Sequence, residues 1–216
     1  MLKVKIFVVN PLQVNSYVVS DERTKETAII DCGCAEESEW DNVKRYIAQE
    51  GLTVKHLLNT HLHFDHIWGV PLAERDLGLK AEANYADMDL YNNVEDAVAR
   101  VIGVRIPMPA FPPLGTSLLD GDVIPLGESV LKVITTPGHS QGGICFYSED
   151  DKMLFAGDTL FCGSIGRTDL DGGNHMQLIE SITSQLLPLP EDTTVYCGHG
   201  PNTTIRNEKM FNPYLP

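Results

Sequence analysis

Between residues 57 and 70 the chain reads LLNTHLHFDHIWGV, and this stretch constrains the fold more than any other. His61, His63, Asp65 and His66, four side chains of metal-ligand type, follow directly on a short apolar run. Only seven histidines occur in 216 residues, and three fall here. The arrangement recurs downstream. ITTPGHSQGG places His139 behind a β-type run and a Pro-Gly turn, MLFAGDTLF places Asp158 behind a glycine, and VYCGHGPN places His199 between two glycines. Each segment has one design: an apolar strand, a turn, then a ligand. Strand ends hold ligands firmly, and turns leave room for substrate and water.

His61, His63, Asp65, His66, His139, Asp158 and His199 are seven candidate ligands. A closed structural zinc site uses about four, so seven suit two ions that share a bridging carboxylate. Imidazole and carboxylate donors without an obligatory thiolate suit zinc, iron or manganese. Two ions about 3.5–4 Å apart can hold a hydroxide, because coordination lowers the pKa of water towards about 7. Singly, His139 or His199 reads as a structural or surface histidine and Asp158 as a cap. Their consistent placement is what carries the assignment. His56 and His175 fit no such pattern and are expected to be structural or solvent-facing.

The remainder of the chain is ordinary for a folded protein. At 43% hydrophobic and 21% charged residues it can bury a core without disulfides. Five scattered cysteines fit reduced thiols, and Cys32-x-Cys34 is not a redox C-x-x-C. The formal net charge of −14 argues against nucleic acid as a partner. No stretch approaches the ~18 apolar residues of a membrane span. The N-terminus, MLKVKIFVVNPLQVNSYVV, reads as β and lacks a cleavage site, so a cytoplasmic location is expected.

Patterning predicts strands at KVKIFVVN, NSYVVSD and TAIIDCG, then a helix in AEESEWDNVKRYIAQEG that is stopped by Gly51. VKHLLNTH is a strand running into the ligand cluster, IWGVPLAERDLG a short helix, and AEANYADMDLYNNVEDAVARVIG a helical stretch ending at Gly103. Residues 104–116, with four prolines, are expected as an irregular loop near a substrate opening. Four β segments follow (SLLDGDVIPLG, SVLKVITTPG, GICFYSED and KMLFAGD), with Asp120-Gly121 as a hairpin turn. NHMQLIESITSQLLPL is a helix, TTVYCGHG a last strand, and a short tail closes the chain. Such alternation implies a layered α/β fold with helix-covered sheets.

THLHFDH resembles the T-H-x-H-x-D-H signature of the metallo-β-lactamase superfamily, and TPGHSQGG, FAGDTLF and YCGHG resemble its later ligand motifs in order. This resemblance covers nearly the whole chain. It implies an αββα sandwich of two mixed β-sheets with helices outside and the active site at one edge. It also implies an assignment: His61, His63 and His139 hold one divalent ion, Asp65, His66 and His199 hold the other, and Asp158 bridges. A bridging aspartate and the lack of a cysteine ligand set the chain apart from the true β-lactamases. GDTLFCGSIGRTD resembles the hydroxyacylglutathione hydrolases (glyoxalase II), which hydrolyse S-acyl glutathione thioesters by attack of a metal-bound hydroxide. Asp65 would also orient the hydroxide. Arg167 in GRTD would meet a substrate carboxylate, or else form an internal ion pair with Asp169 or Asp171.

Only 17 residues, 200–216, follow His199. The chain is thus expected to be a single domain over 1–216, without the extra C-terminal helical domain that supplies basic residues to glutathione in full-length glyoxalase II. The expected cofactors are two divalent ions, zinc first, with iron or manganese as alternatives. The expected partner is a small thioester, with no nucleic acid and no membrane. Three alternatives stay open: a persulfide dioxygenase of the same fold using one iron held by His61, His139 and Asp158, a lactonase, and a non-catalytic binding module. The acyl group and the oligomeric state are not legible.

Overall fold

A computed structural model describes every residue except Pro107, Pro109 and Pro216. In the first half lie β1 (Leu2–Val9), β2 (Val14–Asp21), β3 (Glu26–Ile30), α1 (Glu37–Glu50), β4 (Thr53–Leu58), α2 (Phe64–Ile67), α3 (Val70–Leu77), β5 (Ala81–Glu82), α4 (Met88–Asn92) and α5 (Val94–Ile102). The second half holds β6 (Val123–Leu126), β7 (Ser129–Thr135), β8 (Ile144–Ser148), β9 (Met153–Gly157), β10 (Leu160–Phe161), β11 (Ser164–Ile165), α6 (His175–Ser181), β12 (Thr194–Cys197), β13 (Thr203–Thr204) and α7 (Ile205–Phe211).

Two mixed sheets carry the fold. Strands β1 to β5 form one sheet in sequence order, and the other runs β13-β12-β9-β8-β7-β6. The two-residue period of a strand sends neighbouring side chains to opposite faces. Ile29, Leu57 and Leu154 therefore point outward under helices, whereas Ile30, Leu58 and Phe155 point into the layer between the sheets. That layer also holds Tyr17, Leu131 and Phe146, all nearly inaccessible to solvent. Burial of each such side chain is worth roughly 1.5–3 kcal/mol. Trp40, Ile67 and Val98 pack the helices of the first half onto their sheet, and Leu178, Ile182 and Ile205 do so in the second half. The four layers are helix, sheet, sheet, helix, as expected from the sequence.

Several local expectations need correction. The stretch 81–103 is not one helix. Ala81 and Glu82 pair in parallel with Leu57 and Leu58, because a sheet edge with free backbone groups overrides the helix preference of alanine and glutamate. A 3-10 turn follows over Tyr85–Asp87, and the chain breaks again at Asn93 between α4 and α5. The β-hairpin turn is Gly127-Glu128, between the paired Leu126 and Ser129, with Gly127 at φ +68°. The Asp120-Gly121 turn instead precedes β6 and is pinned by Asp120 accepting from the Thr135 backbone N–H at 2.9 Å. The tail is not featureless, since β13 pairs with β12 and α7 packs on the second sheet. Over 104–116 the described residues form neither helix nor strand, as expected.

Candidate metal centre

Strand ends deliver the seven candidate ligands to one place. β4 stops at Leu58, His61 lies in the following turn, His63 caps α2, and Asp65 and His66 sit on that single helical turn. The sequence reading placed a turn after the strand and began its short helix only at Ile67. The helix matters because it turns Asp65 and His66 towards the centre while burying Phe64 and Ile67 beneath it. His139 lies between β7 and β8, Asp158 follows β9, and His199 follows β12. β7, β9 and β12 run in one direction, so their C-terminal ends share an edge. The first sheet is sewn to that edge by a Val14–His199 bridge and by Asn15 N–H donating to the Gly198 carbonyl at 2.8 Å. Gly198 is needed for this approach: a Cβ there would stand 2.1 Å from Asp158 Oδ1.

Three groups have their donor atoms mutually within 4.8 Å: His61, His63 and His139; His61, His66 and Asp158; and Asp65, His66 and His199. His63 Nδ1 is 2.9 Å from His139 Nε2, and His66 Nε2 is 3.3 Å from His199 Nε2. Asp158 stands among three imidazoles, 3.3 Å from His66, 3.6 Å from His139 and 3.5 Å from His199. Asp65 Oδ2 lies 3.5 Å from His199 Nε2. The Nε2 atoms of His61 and His63 are buried without a hydrogen-bond partner. Orphaned buried polar atoms are costly, and lone pairs converging beside two carboxylates fit divalent cations.

Outside the centre, other groups orient the rings. His139 Nδ1 bonds the Arg167 carbonyl at 2.7 Å and His199 Nδ1 the Leu12 carbonyl at 3.0 Å, so both donate outward and turn Nε2 inward. His66 Nδ1 meets Asp31 Oδ2 at 3.0 Å, and His61 Nδ1 meets Thr60 Oγ1 at 3.1 Å. Asp31 also accepts from the Thr60 N–H and hydroxyl, each at 2.8 Å. A second buried carboxylate, Asp87, accepts from the Leu62 N–H at 3.2 Å, the Ser140 hydroxyl at 2.8 Å and the Gly142 N–H at 2.6 Å. It clamps the loop of His61 and His63 to the loop of His139. The sequence reading missed both carboxylates. Asp31 carried a usable signal, an acid directly after the apolar run AII, whereas Asp87 lay inside a stretch read as helix.

Burial lowers the basicity of His61 well below the ordinary imidazole value, and it lowers that of His63 to about 3, with the neighbouring imidazoles adding to both effects. For His66 burial acts in the same direction, but the fields of Asp158, Asp65 and Asp31 outweigh it and raise its pKa well above the usual value. His199 is raised to about 9 against its own burial by hydrogen bonds to Asp158 and Asp65. Burial opposes ionisation of Asp158 and Asp65, yet His66 and His199 hold both carboxyls below the usual range.

Above these groups opens a cleft of about 580 Å³, with His63, Asp65, His139, Asp158 and His199 in its lining. The 161–173 stretch contributes Phe161, Ile165, Arg167 and Leu170 to it, as expected. No described residue of 104–116 does so. That loop borders a separate opening with Tyr85 and Tyr91, so the expected proximity to the substrate opening is corrected. The Arg167 side chain pairs with Asp169 at 2.7 and 2.8 Å, the internal ion pair among the two expectations. His175 is exposed, and His56 bonds Glu82 at 2.8 Å. No helix among the described residues is long and apolar enough to cross a membrane.

Known proteins share this arrangement. A family model described as the metallo-beta-lactamase superfamily matches residues 9–199. The hydroxyacylglutathione hydrolase GloC of Haemophilus influenzae is 34% identical over 215 residues, covering 99% of this chain and 98% of that protein. Among solved structures, the BLEG-1 B3 metallo-beta-lactamase superposes with a TM-score of 0.88 at 35% identity, covering 100% of this chain and 99% of that one. TTHA1623 in a di-iron-bound form gives 0.85 at 36% identity, covering 98% and 100%. With its αββα layers and its clustered histidines and aspartates, the chain belongs to the metallo-β-lactamase superfamily.

Proposed function

We propose that the protein hydrolyses thioesters such as S-acyl glutathione with two divalent ions at this centre. The observation that carries the reading is the placement of Asp158 among His66, His139 and His199, with three ligand groups converging around it. The GloC relative, by its name a hydroxyacylglutathione hydrolase, supports the substrate class. His61, His63 and His139 would hold one ion, Asp65, His66 and His199 the other, and Asp158 both. Bound there, such ions supply Lewis acidity and water made acidic enough to deprotonate near pH 7.

The chain's own residues have distinct tasks. Asp65, at the cleft wall and below the usual carboxylate pKa, stays ionised and so can orient the attacking water. The outward hydrogen bonds of His139, His199 and His66 fix which nitrogen faces inward. In the net reaction the water oxygen bonds to the acyl carbon, the carbon–sulfur bond breaks, and sulfur leaves to take up a proton. One carboxylic acid and one thiol result.

The test is hydrolysis of S-D-lactoylglutathione by metal-stripped protein before and after zinc is added, with Asp158→Ala beside it. Metal-dependent turnover that the variant loses supports the proposal. Near-normal turnover in Asp158→Ala, or none in the metal-loaded protein, overturns it. In the second case, oxygen uptake with glutathione persulfide would distinguish the dioxygenase chemistry of this fold.

A further inference from the structure

The walls of the cleft say what kind of thioester fits. On one side α5 presents Ala97 and Val101, four residues apart and so on one helical face, above Phe64 and Leu90. The other side presents Ile165 and Leu170. Phe64 and Ile165 are buried, and Val101 remains 43% exposed at the rim. The cleft thus has an apolar arm leading outward from the histidines.

Two cations line it, and both are already paired. Arg100 of α5 reaches across to Asp171, joining the two lips, and Arg167 is held by both oxygens of Asp169. Within the lining, two arginines face two rim acids, so the rim presents no net positive charge. The chain's net charge of −14 opposes a further anion approaching this edge. Exposed ion pairs are individually weak. A substrate carboxylate could displace Asp169, but it would leave that carboxylate unpaired beside it. A glutathione moiety, with two carboxylates, gains little here.

From this geometry we infer that the preferred substrates are thioesters with an uncharged apolar acyl arm, a short aliphatic or aromatic chain lying against Ala97, Val101 and Leu170, and that the thiol part need not be glutathione. The inference rests on the thioester reading and refines it. Every apolar carbon that leaves water in the cleft favours the longer acyl group, whereas every added carboxylate meets a rim whose cations are occupied.

The experiment compares three substrates on the zinc-loaded protein: S-hexanoyl-N-acetylcysteamine, S-acetyl-N-acetylcysteamine and S-hexanoylglutathione. The expected kcat/KM for the neutral hexanoyl thioester exceeds each of the others by about tenfold. Val101→Asn, at an exposed helical position, is expected to lower the hexanoyl value about fivefold and the acetyl value less than twofold. In parallel, calorimetry measures binding of the uncleavable S-hexyl-N-acetylcysteamine and S-hexylglutathione, with the neutral thioether binding about tenfold tighter. Hexanoyl and acetyl values that are equal, or a preference for the glutathione compounds, overturn the inference while leaving thioester hydrolysis intact. If no thioester is cleaved, the hydrolytic proposal fails, and the two thioethers still decide the inference: equal affinities or tighter binding of S-hexylglutathione end it.

Discussion

The two halves of the centre are built on opposite electrostatic plans. Around His61, His63 and His139 imidazoles and burial outweigh the fields of Asp158 and Asp65, and His61 and His63 stay neutral. Around Asp65, His66 and His199 two carboxylates face two imidazoles whose proton affinity they raise. A cation entering the first half meets the unpartnered Nε2 atoms of His61 and His63. A cation entering the second half must displace protons. The lesson is that equal ligand counts do not give equal sites, because the neighbours of each histidine decide what competes with the metal.

Single ligand removals test this contrast most severely. His63→Ala and His199→Ala should each lower bound zinc from two ions towards one per chain and cut turnover by at least about 100-fold, as read by metal analysis and kinetics. Two ions retained in either variant would contradict the division into halves. Proton release comes next. At pH 7 loading should expel protons, because His199, with a pKa near 9, holds its proton in the metal-free protein. Calorimetry in buffers of different ionisation enthalpy counts them, and His199→Asn should release fewer.

The supporting carboxylates sharpen the comparison further. Asp31→Asn loosens His66 directly and His61 only through Thr60, so it should weaken the ion of Asp65, His66 and His199 by about 10–100-fold and the other less. Asp87→Asn, which loosens the loops of His61, His63 and His139, should show the converse pattern. Competition with a chelator resolves the two affinities, and equal weakening of both ions by either change would dissolve the distinction. The smallest effect is on stability. A histidine whose folded pKa is raised stabilises the fold fully below its unfolded value near 6.5, and that stabilisation disappears as pH rises through the folded value. For His199 that window ends near pH 9. The melting temperature of metal-free protein should therefore fall between pH 7 and 10, and less so in His199→Asn.

Much of this was legible before any coordinates. The ligands could be read because each sits at the end of a strand whose apolar run is visible, and because the same strand–turn–ligand order repeats. Strands β1 to β4 and β6 to β9 could be read because their β-branched and apolar runs are punctuated by turn residues. The failures share one cause, which is tertiary pairing. Ala81 and Glu82 are a strand only because Leu57 and Leu58 lie beside them. Asp87 is a clamp only because Leu62, Ser140 and Gly142 converge on it from distant segments. Arg167 could have served a substrate or an ion pair on sequence alone, and Asp169, two residues on, takes it.

The bridge between Val14 and His199 has a temporal consequence. It joins the second strand to the last ligand, so the centre stays incomplete until residue 199 has been made and both sheets have docked. Contacts of such long sequence separation form late in folding. The complete ligand set therefore exists only after the two sheets have docked. The nascent chain exposes its first histidine cluster well before His199 exists, and for that interval it offers an ion only part of the final ligand set.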